Sequence, residues 1–429
     1  MKEFDAVIGY KDVKIELERI ADMMINPKKY QKLGVKTTRG LLLTGIPGVG
    51  KTLMANCLIK ASKRKAFTIR KDIPEVELVK KIKETFEEAR RQAPSIVFMD
   101  DIDKFANSNG DRYNSEAHIT IQSCIDDCKD CEVFVLATSN DTAYMPRSLV
   151  RPGRFDKLIN VSNPSKKDSE EIIKYYLSKK KVDKDVDYLD IARLLNGGTC
   201  ALLETVINEA GVYTGFENRT VVNRSDIIRS YKRIMYEEAE SYDSIDPKHL
   251  KAMAIYEAGH AAIAEILEPD SVSLSLLRTR KCYYADSLTV FNQKGEGVYE
   301  DKTKKENNIM FYLAGRAAHE ITYGTICADT NVADDIKYAF DICKELVGIY
   351  CVYGFNYIAD NRNKASALIE RQTILAQSEM ERYYQQVKKI LMDNKDFLNK
   401  IADELADKKT LTYADIQNIK KGCKISLAS

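Results

Sequence analysis

Gly40-Leu41-Leu42-Leu43-Thr44 runs directly into Gly45-Ile46-Pro47-Gly48-Val49-Gly50-Lys51-Thr52, and a helical run over 53–61 follows. The first five residues read as a buried strand. The next eight carry the Gly-x4-Gly-Lys-Ser/Thr pattern in the strand–loop–helix context that gives it meaning. Glycines let successive backbone N–H groups turn toward phosphate oxygens, and the following helix adds the positive end of its dipole. Gly45, Pro47, Gly48, Val49 and Gly50 would form that cradle. Lys51 would reach the β- and γ-phosphates of ATP, and Thr52 would ligate Mg²⁺. Working outward, the apolar runs 66–69, 95–99 and 133–137 read as further strands, separated by helical stretches such as 76–91. Alternating strands and helices predict a parallel sheet covered on both faces, an α/β nucleotide-binding core.

The whole chain has 429 residues, enough for roughly two to four domains. It has 66 Lys+Arg against 64 Asp+Glu, a net charge of +2, so no basic footprint marks a nucleic-acid partner. No apolar run approaches the ~18 residues that span a bilayer. The first ten residues are charged and lack an apolar signal-peptide core. Ten cysteines without a small secreted framework read as reduced thiols, which predicts a cytoplasmic protein. Trp is absent, and His occurs four times, at 118, 249, 260 and 319.

Repeats and low-complexity tracts are missing. After Pro164 the strand signal fades, and segments 169–177 and 202–213 read as helices. An acidic, polar stretch over 237–247 reads as a linker. Helical patterns follow over 248–267 and 306–322, with a strand-and-hairpin insert expected over 272–299. The last hundred or so residues are helical and highly charged. This predicts an α/β core over 1–162, a helical lid over 163–240, and a mostly α-helical domain over 241–429.

The nucleotide site needs a carboxylate at the end of an apolar strand. Ile96-Val97-Phe98-Met99-Asp100-Asp101 supplies it. Asp100 is the candidate Mg²⁺-associated group. Asp101 stands where ATP-hydrolysing proteins of this kind usually place a Glu that polarises water. A base must come within about 2.6–3.2 Å of its water, so the shorter Asp predicts slow hydrolysis. Ala137-Thr138-Ser139-Asn140 ends another strand, and Asn140 is placed to orient the γ-phosphate or its water. In Arg151-Pro152-Gly153-Arg154-Phe155-Asp156, two arginines suit a finger acting on a neighbour's phosphoryl group.

With these motifs in order, the chain resembles the FtsH family of ATP-dependent AAA proteases nearly end to end. Phe4-Asp5-Ala6-Val7-Ile8-Gly9 is similar to the family's adenine-side entry, which implies nucleotide contact at Ile8 and Gly9. Gln31-Lys32-Leu33-Gly34 and Lys36-Thr37-Thr38-Arg39-Gly40 lead into the phosphate loop as in the family. Val206-Ile207-Asn208-Glu209-Ala210 resembles the lid. Ala258-Gly259-His260-Ala261, Leu313-Ala314-Gly315-Arg316-Ala317-Ala318 and Asp334-Asp335-Ile336 resemble the zinc-peptidase half. The resemblance implies a homohexameric ring of ATPase domains stacked on a zinc metallopeptidase ring.

Three departures qualify that implication. The family begins with a membrane anchor, whereas this sequence opens at the ATPase domain, so no integral anchor is expected. The family grips substrate with an aromatic–apolar–Gly loop, whereas Arg70-Lys71-Asp72-Ile73-Pro74-Glu75-Val76-Glu77-Leu78 has neither aromatic nor Gly. Third, the zincin pattern His-Glu-x-x-His sets two imidazoles one turn apart with Glu as general base. Here the residues are Tyr256-Glu257-Ala258-Gly259-His260. Glu257 and His260 remain, and Asp335 matches the family's third ligand. Tyr256 must ionise to bind metal, at an ordinary pKa of about 10, so zinc is disfavoured.

Other residues do not repair the site. His249 precedes Tyr256 by about two helical turns, too far to share a metal. His319 reads as a surface or core residue. Cys124, Cys128 and Cys131 lack a fourth ligand and read as structural. Lys179-Lys180-Lys181 reads as solvated lid surface. The leading expectation is an ATP-binding, ring-forming ATPase with an inactive peptidase domain, in a homohexamer or a mixed ring with a family member. Two alternatives stand beside it: an active zinc metalloendopeptidase with an unusual metal site, and a nucleotide-binding structural subunit of a mixed ring. The client protein is not readable.

Overall fold

The computed structural model describes the chain except residues 72, 106–114, 142–144, 152, 185, 237–245, 278–286, 292–300, 327–329, 355–365 and 427–429. Most of the expected linker over 237–247, and most of the insert over 272–299, lie outside the described residues. The chain divides into two compact units, one comprising Met1–Tyr188 with Leu195–Ile227, the other Leu189–Leu194 with Ile228–Ser429.

In the first unit, five parallel strands form one sheet: β1 (Gly40–Thr44), β2 (Lys65–Ile69), β3 (Ser95–Met99), β4 (Val133–Ser139) and β5 (Lys157–Asn160). Their order is β2-β3-β4-β1-β5. Strands β1, β3 and β4 are buried along their whole length, which is why each reads as an unbroken apolar run. Sequence periodicity missed β5. It is an edge strand with one buried residue, Ile159, so it has no apolar run to find. Helices Lys51–Ser62, Glu75–Arg91 and Glu116–Asp127 accompany the sheet. Ser115 caps the last of these by accepting from the His118 N–H. The helix Lys166–Leu177 starts with a reciprocal Ser165–Asp168 capping box, and Thr199 caps Cys200–Phe216.

The second unit packs helices Pro247–Leu267, Lys302–Tyr323, Thr330–Gly348, Ser366–Asp393 and Lys395–Lys408 with a small antiparallel sheet. That sheet has the order β7-β6-β8, from β6 (Val272–Leu277), β7 (Ser287–Phe291) and β8 (Thr410–Thr412). Helix Pro247–Leu267 opens with proline in its first turn under an Asp246 cap, and is buried from Ala254 to Ile266. It reads as apolar all round because it is enclosed all round. Small residues let it cross Lys302–Tyr323 closely. A Cβ on Gly259 would lie 2.6 Å from the Ala314 carbonyl oxygen and 2.7 Å from the Ala318 Cβ. Gly315 in turn lies under the Tyr256 ring and the His260 imidazole.

That crossing fixes the sign of a glycine substitution. In an open helix Gly→Ala gains about 1 kcal/mol of propensity. Gly215, on helix Cys200–Phe216, has nothing within 4 Å of its Cβ position. Gly215→Ala should therefore raise the thermal midpoint. Gly259→Ala should lower it, by about 1–2 kcal/mol of stability, because the added methyl meets backbone. Calorimetry on both variants checks the contrast. A stabilised Gly259→Ala would mean the two helices are not in close contact there.

Candidate functional site

The phosphate loop leaves the end of β1 with backbone that side chains resist. Gly45, Gly48 and Gly50 have φ of 146°, 85° and 97°. A Cβ on Gly45 would sit 2.1 Å from the Val161 carbonyl oxygen. The Gly48 carbonyl accepts from the Ala201 N–H at 3.0 Å, tying the loop to the first turn of Cys200–Phe216. Val49 is fully buried, while Pro47 is exposed. Lys51 is buried at the start of its helix. Its Nζ donates to the carbonyls of Gly45 (2.7 Å) and Ile46 (2.9 Å) and to Asn140 Oδ1 (2.8 Å). Burial lowers the Lys51 pKa, while the carboxylates of Asp101, Asp103 and Asp100 pull it up.

The adjacent strand ends complete a hydrogen-bonded chain. Thr52 Oγ1 and Thr138 Oγ1 both donate to Asp100 Oδ1, at 3.0 and 2.8 Å. The Asp101 N–H donates to Thr138 Oγ1 at 2.8 Å. Asp101 holds a left-handed φ of 54°. Its carboxylate accepts from Asn140 Nδ2 at 3.1 Å and from Lys104 Nζ at 2.6 Å. The Asn140 N–H donates to Asp103 Oδ1 at 2.9 Å. The structure thus brings Lys51, Thr52, Asp100, Asp101 and Asn140 together. Sequence reasoning had not singled out Thr138, Asp103 or Lys104, although all three lie within the strand-end stretches or just beyond them. Two hard oxygen donors, Thr52 Oγ1 and Asp100 Oδ1, stand side by side and suit Mg²⁺.

Gly9, with φ 70°, packs against Asp168, whose side chain a Cβ would meet at 2.7 Å. Asp168 Oδ1 also accepts from the Tyr10 N–H at 2.9 Å. Ile8 precedes them, half-buried. The two arginines of the 151–156 stretch differ. Arg151 is exposed. Arg154 donates from Nε and Nη2 to Asp126 (3.3 and 2.8 Å), and from Nη1 to Gln122 Oε1 (3.1 Å) and the Ser148 carbonyl (2.5 Å). Arg154 holds the Asp126 pKa down to about 2.

In the second unit, Tyr256, Glu257 and His260 are all buried on helix Pro247–Leu267. The Tyr256 hydroxyl donates to Asp335 Oδ2 in a short hydrogen bond. His260 Nε2 lies 3.2 Å from that same oxygen, and its Nδ1 lies 2.8 Å from the Phe311 carbonyl. Glu257 accepts from Ser287 Oγ at 2.7 Å and Thr289 Oγ1 at 2.6 Å. Burial pushes the Glu257 pKa up, while His260 pulls it down. Burial works to lower the His260 pKa, but Asp335 outweighs it and lifts it to about 9. A zinc ion does not fit this donor set. A neutral phenol must lose its proton to bind zinc firmly, and here that proton is held in the hydrogen bond to Asp335, which His260 Nε2 also faces at 3.2 Å. Among the described residues, no group of three or more His, Cys, Asp or Glu is arranged to hold a metal.

The remaining candidates stand apart. His249 is exposed near the start of the same helix. The His319 imidazole Nδ1 lies 3.0 Å from the Thr325 carbonyl. Cys124 and Cys128 are free, and burial pushes both thiols up to about 11. Among the described residues, no helix is long and apolar enough to cross a membrane.

Comparison with known proteins finds a family match in each half of the chain. Residues 41–163 match the ATPase family associated with various cellular activities (AAA), and residues 243–419 match peptidase family M41. Similar proteins include the ATP-dependent zinc metalloprotease FtsH 2 of Phytoplasma mali (strain AT), 28% identical over 434 residues. That match covers 97% of this chain and 62% of the relative. The ATP-dependent zinc metalloprotease FtsH of Mycoplasmopsis pulmonis (strain UAB CTIP) is 28% identical over 461 residues, covering 99% of this chain and 62% of the relative. FtsH 2 of Thermoanaerobacter sp. (strain X514) is 29% identical over 429 residues, with 97% and 82% covered. The chain thus spans 62% of the length of the first two relatives.

The His260–Asp335 pair makes a pH prediction. Its pKa is raised from the ordinary 6.5 to about 9, so its stabilising contribution is complete below pH 6.5 and is lost as pH rises through 9. The thermal midpoint of the unaltered protein should fall across that window more than that of Asp335→Asn. Parallel profiles for the two proteins would contradict a protonated His260 held by Asp335.

Proposed function

The chain is an AAA ATPase domain fused to an M41, FtsH-type peptidase domain, and we propose that it hydrolyses ATP slowly and does not cut protein. What supports the reading is one contrast. The first unit has a continuous Lys51–Asn140–Asp101–Thr138–Asp100–Thr52 network at the strand ends, while the corresponding cluster of the second unit is closed upon itself by Tyr256 and Asp335.

In this reading the phosphate loop, residues 45–52, cradles the triphosphate on backbone N–H groups. Binding draws the Lys51 ammonium from the loop carbonyls onto the β/γ-phosphates. Thr52 and Asp100 would hold Mg²⁺, which would supply charge neutralisation at the phosphoryl group. Asp101 polarises water, and Asn140 orients the γ-phosphate. Ile8 and Gly9 border the adenine. Asp101 has a short arm, and both its carboxylate oxygens are engaged by Asn140 and Lys104, so turnover is slow. Arginine supplied from an adjacent subunit completes the site, which makes activity dependent on a ring, a homohexamer or a mixed ring with a family member. We take the domains as 1–162, 163–240 and 241–429. The free thiols support a cytoplasmic setting. With cleavage lost, the second domain serves as a scaffold or a regulatory surface for a protein client.

Two experiments test the two halves. Lys51→Ala should weaken ATP binding at least about tenfold, while Asp101→Glu should raise turnover a few-fold at unchanged ATP affinity. Unaltered binding in the first variant would refute the phosphate site. Tyr256→His removes the phenol from Asp335 and supplies an imidazole lone pair, so zinc bound after dialysis should rise from substoichiometric toward one per chain. Equal zinc content in both proteins would contradict the role given to Tyr256.

A further inference from the structure

Arg154 carries a guanidinium that its own chain already satisfies. Two of its nitrogens grip both oxygens of Asp126, and a third reaches Gln122 Oε1 and the Ser148 carbonyl. The Asp126 carboxylate cancels its charge, and paired charge-assisted bonds of this kind are among the stronger ones in proteins. To meet phosphate on another subunit, Arg154 would have to break four contacts and leave Asp126 behind.

The rest of the segment is equally fixed. The Asp156 carboxylate accepts from the Arg39 N–H at 2.7 Å, at the root of β1, and from the Gly153 N–H at 2.5 Å. Phe155 is buried, and its N–H donates to the Leu149 carbonyl at 3.3 Å. Gly40 lies so near the Arg154 carbonyl that a Cβ would come within 2.2 Å of its oxygen. The Arg154 N–H donates to the Arg151 carbonyl at 3.1 Å, so the backbone of Arg151 is tied to this clamp. Arg151 itself is exposed. One arginine anchors the turn, and the other is carried by it.

We infer that Asp126, assisted by Gln122, is a positioning residue for ATP hydrolysis between subunits. Gripping Arg154 anchors the turn that presents Arg151 to the nucleotide of the adjacent chain. The inference rests on the ATPase reading above. It divides the labour between two arginines that the sequence pattern treats alike: Arg151 touches the phosphoryl group, and Arg154 acts only through it. The chemistry is unchanged. Water adds to the γ-phosphorus, the bond to the β-phosphate bridging oxygen breaks, ADP leaves with that electron pair, and the water proton passes toward Asp101.

The test uses the full chain with Asp126→Ala, and with Asp126→Asn, which keeps the side-chain volume. ATP affinity by titration should stay within about twofold of the unaltered protein, whereas kcat should fall about tenfold to a hundredfold, the scale expected when a group in the site is displaced by about 1 Å. Asp126→Asn should fall less. The decisive arm mixes Asp126→Ala with Lys51→Ala subunits. The first keeps its nucleotide site and the second keeps its Arg151 turn, so the mixture should recover turnover that neither has alone. An Asp126→Ala protein with undiminished kcat, or one whose loss mixing does not relieve, overturns the inference and leaves the ATPase reading standing. Absence of turnover in the unaltered protein overturns both.

Discussion

Strand β4 lies between β1 and β3 in parallel register, and the nucleotide site depends on that placement. Thr44 pairs with Ser139, and Met99 with Ala137, so the residues that follow these three strands emerge on one edge of the sheet. Thr138, at the end of the central strand, then lies between Asp100 and Asp101, accepting from the backbone of one and donating to the side chain of the other. Asn140, two residues on, spans Lys51 and Asp101. A register slip of one residue would turn Thr138 to the opposite face and break the network at its centre. Ligand sites at the carboxyl ends of parallel strands are a general consequence of this topology. Here the consequence reaches further, because the carboxylates that favour the buried Lys51 charge, those of Asp101, Asp103 and Asp100, all follow the end of β3.

Close helix packing plays the same part in the second unit. Gly259 and Gly315 let two helices approach until the Tyr256 and His260 rings lie over backbone, with ring centroids 4.9 Å apart. A tyrosine fills the space of an imidazole well enough to preserve that packing, and its hydroxyl finds a buried acceptor in Asp335. What changes is the direction of the bond. An imidazole offers a lone pair to a metal, whereas the phenol offers a proton to the carboxylate. One side chain thus reverses the hydrogen-bonding role at this position. The buried Glu257 carboxylate accepts from the Ser287 and Thr289 hydroxyls.

Much of this was legible in the sequence. The phosphate loop, the carboxylate pair after β3 and Asn140 after β4 each sit in a local pattern whose geometry is fixed by a strand end. The Tyr256 substitution shows in a five-residue motif. What escaped has a common physical cause. Strand β5 is too short and too exposed to leave a periodic signal, and β8 is three residues whose apolar content merges with flanking helices. The distinct fates of Arg151 and Arg154 depend on Asp126, 28 residues away from Arg154 along the chain, and no local pattern announces that partnership. Lys104 faces Asp101 only because a 3₁₀ turn over Ile102–Phe105 brings them together. Pairwise contacts between distant segments are set by packing, and their residue types look ordinary until the fold places them.

In the proposed function, one half of this chain hydrolyses ATP and the other half does not cut protein. The most direct test is made on the unaltered full chain, purified with ATP and Mg²⁺ and supplied with zinc before dialysis. Metal content, ATP turnover and hydrolysis of unfolded casein are then read on the same sample. Measurable ATP turnover, zinc well below one per chain, and intact casein are expected. One zinc per chain together with casein cleavage would contradict the proposed function.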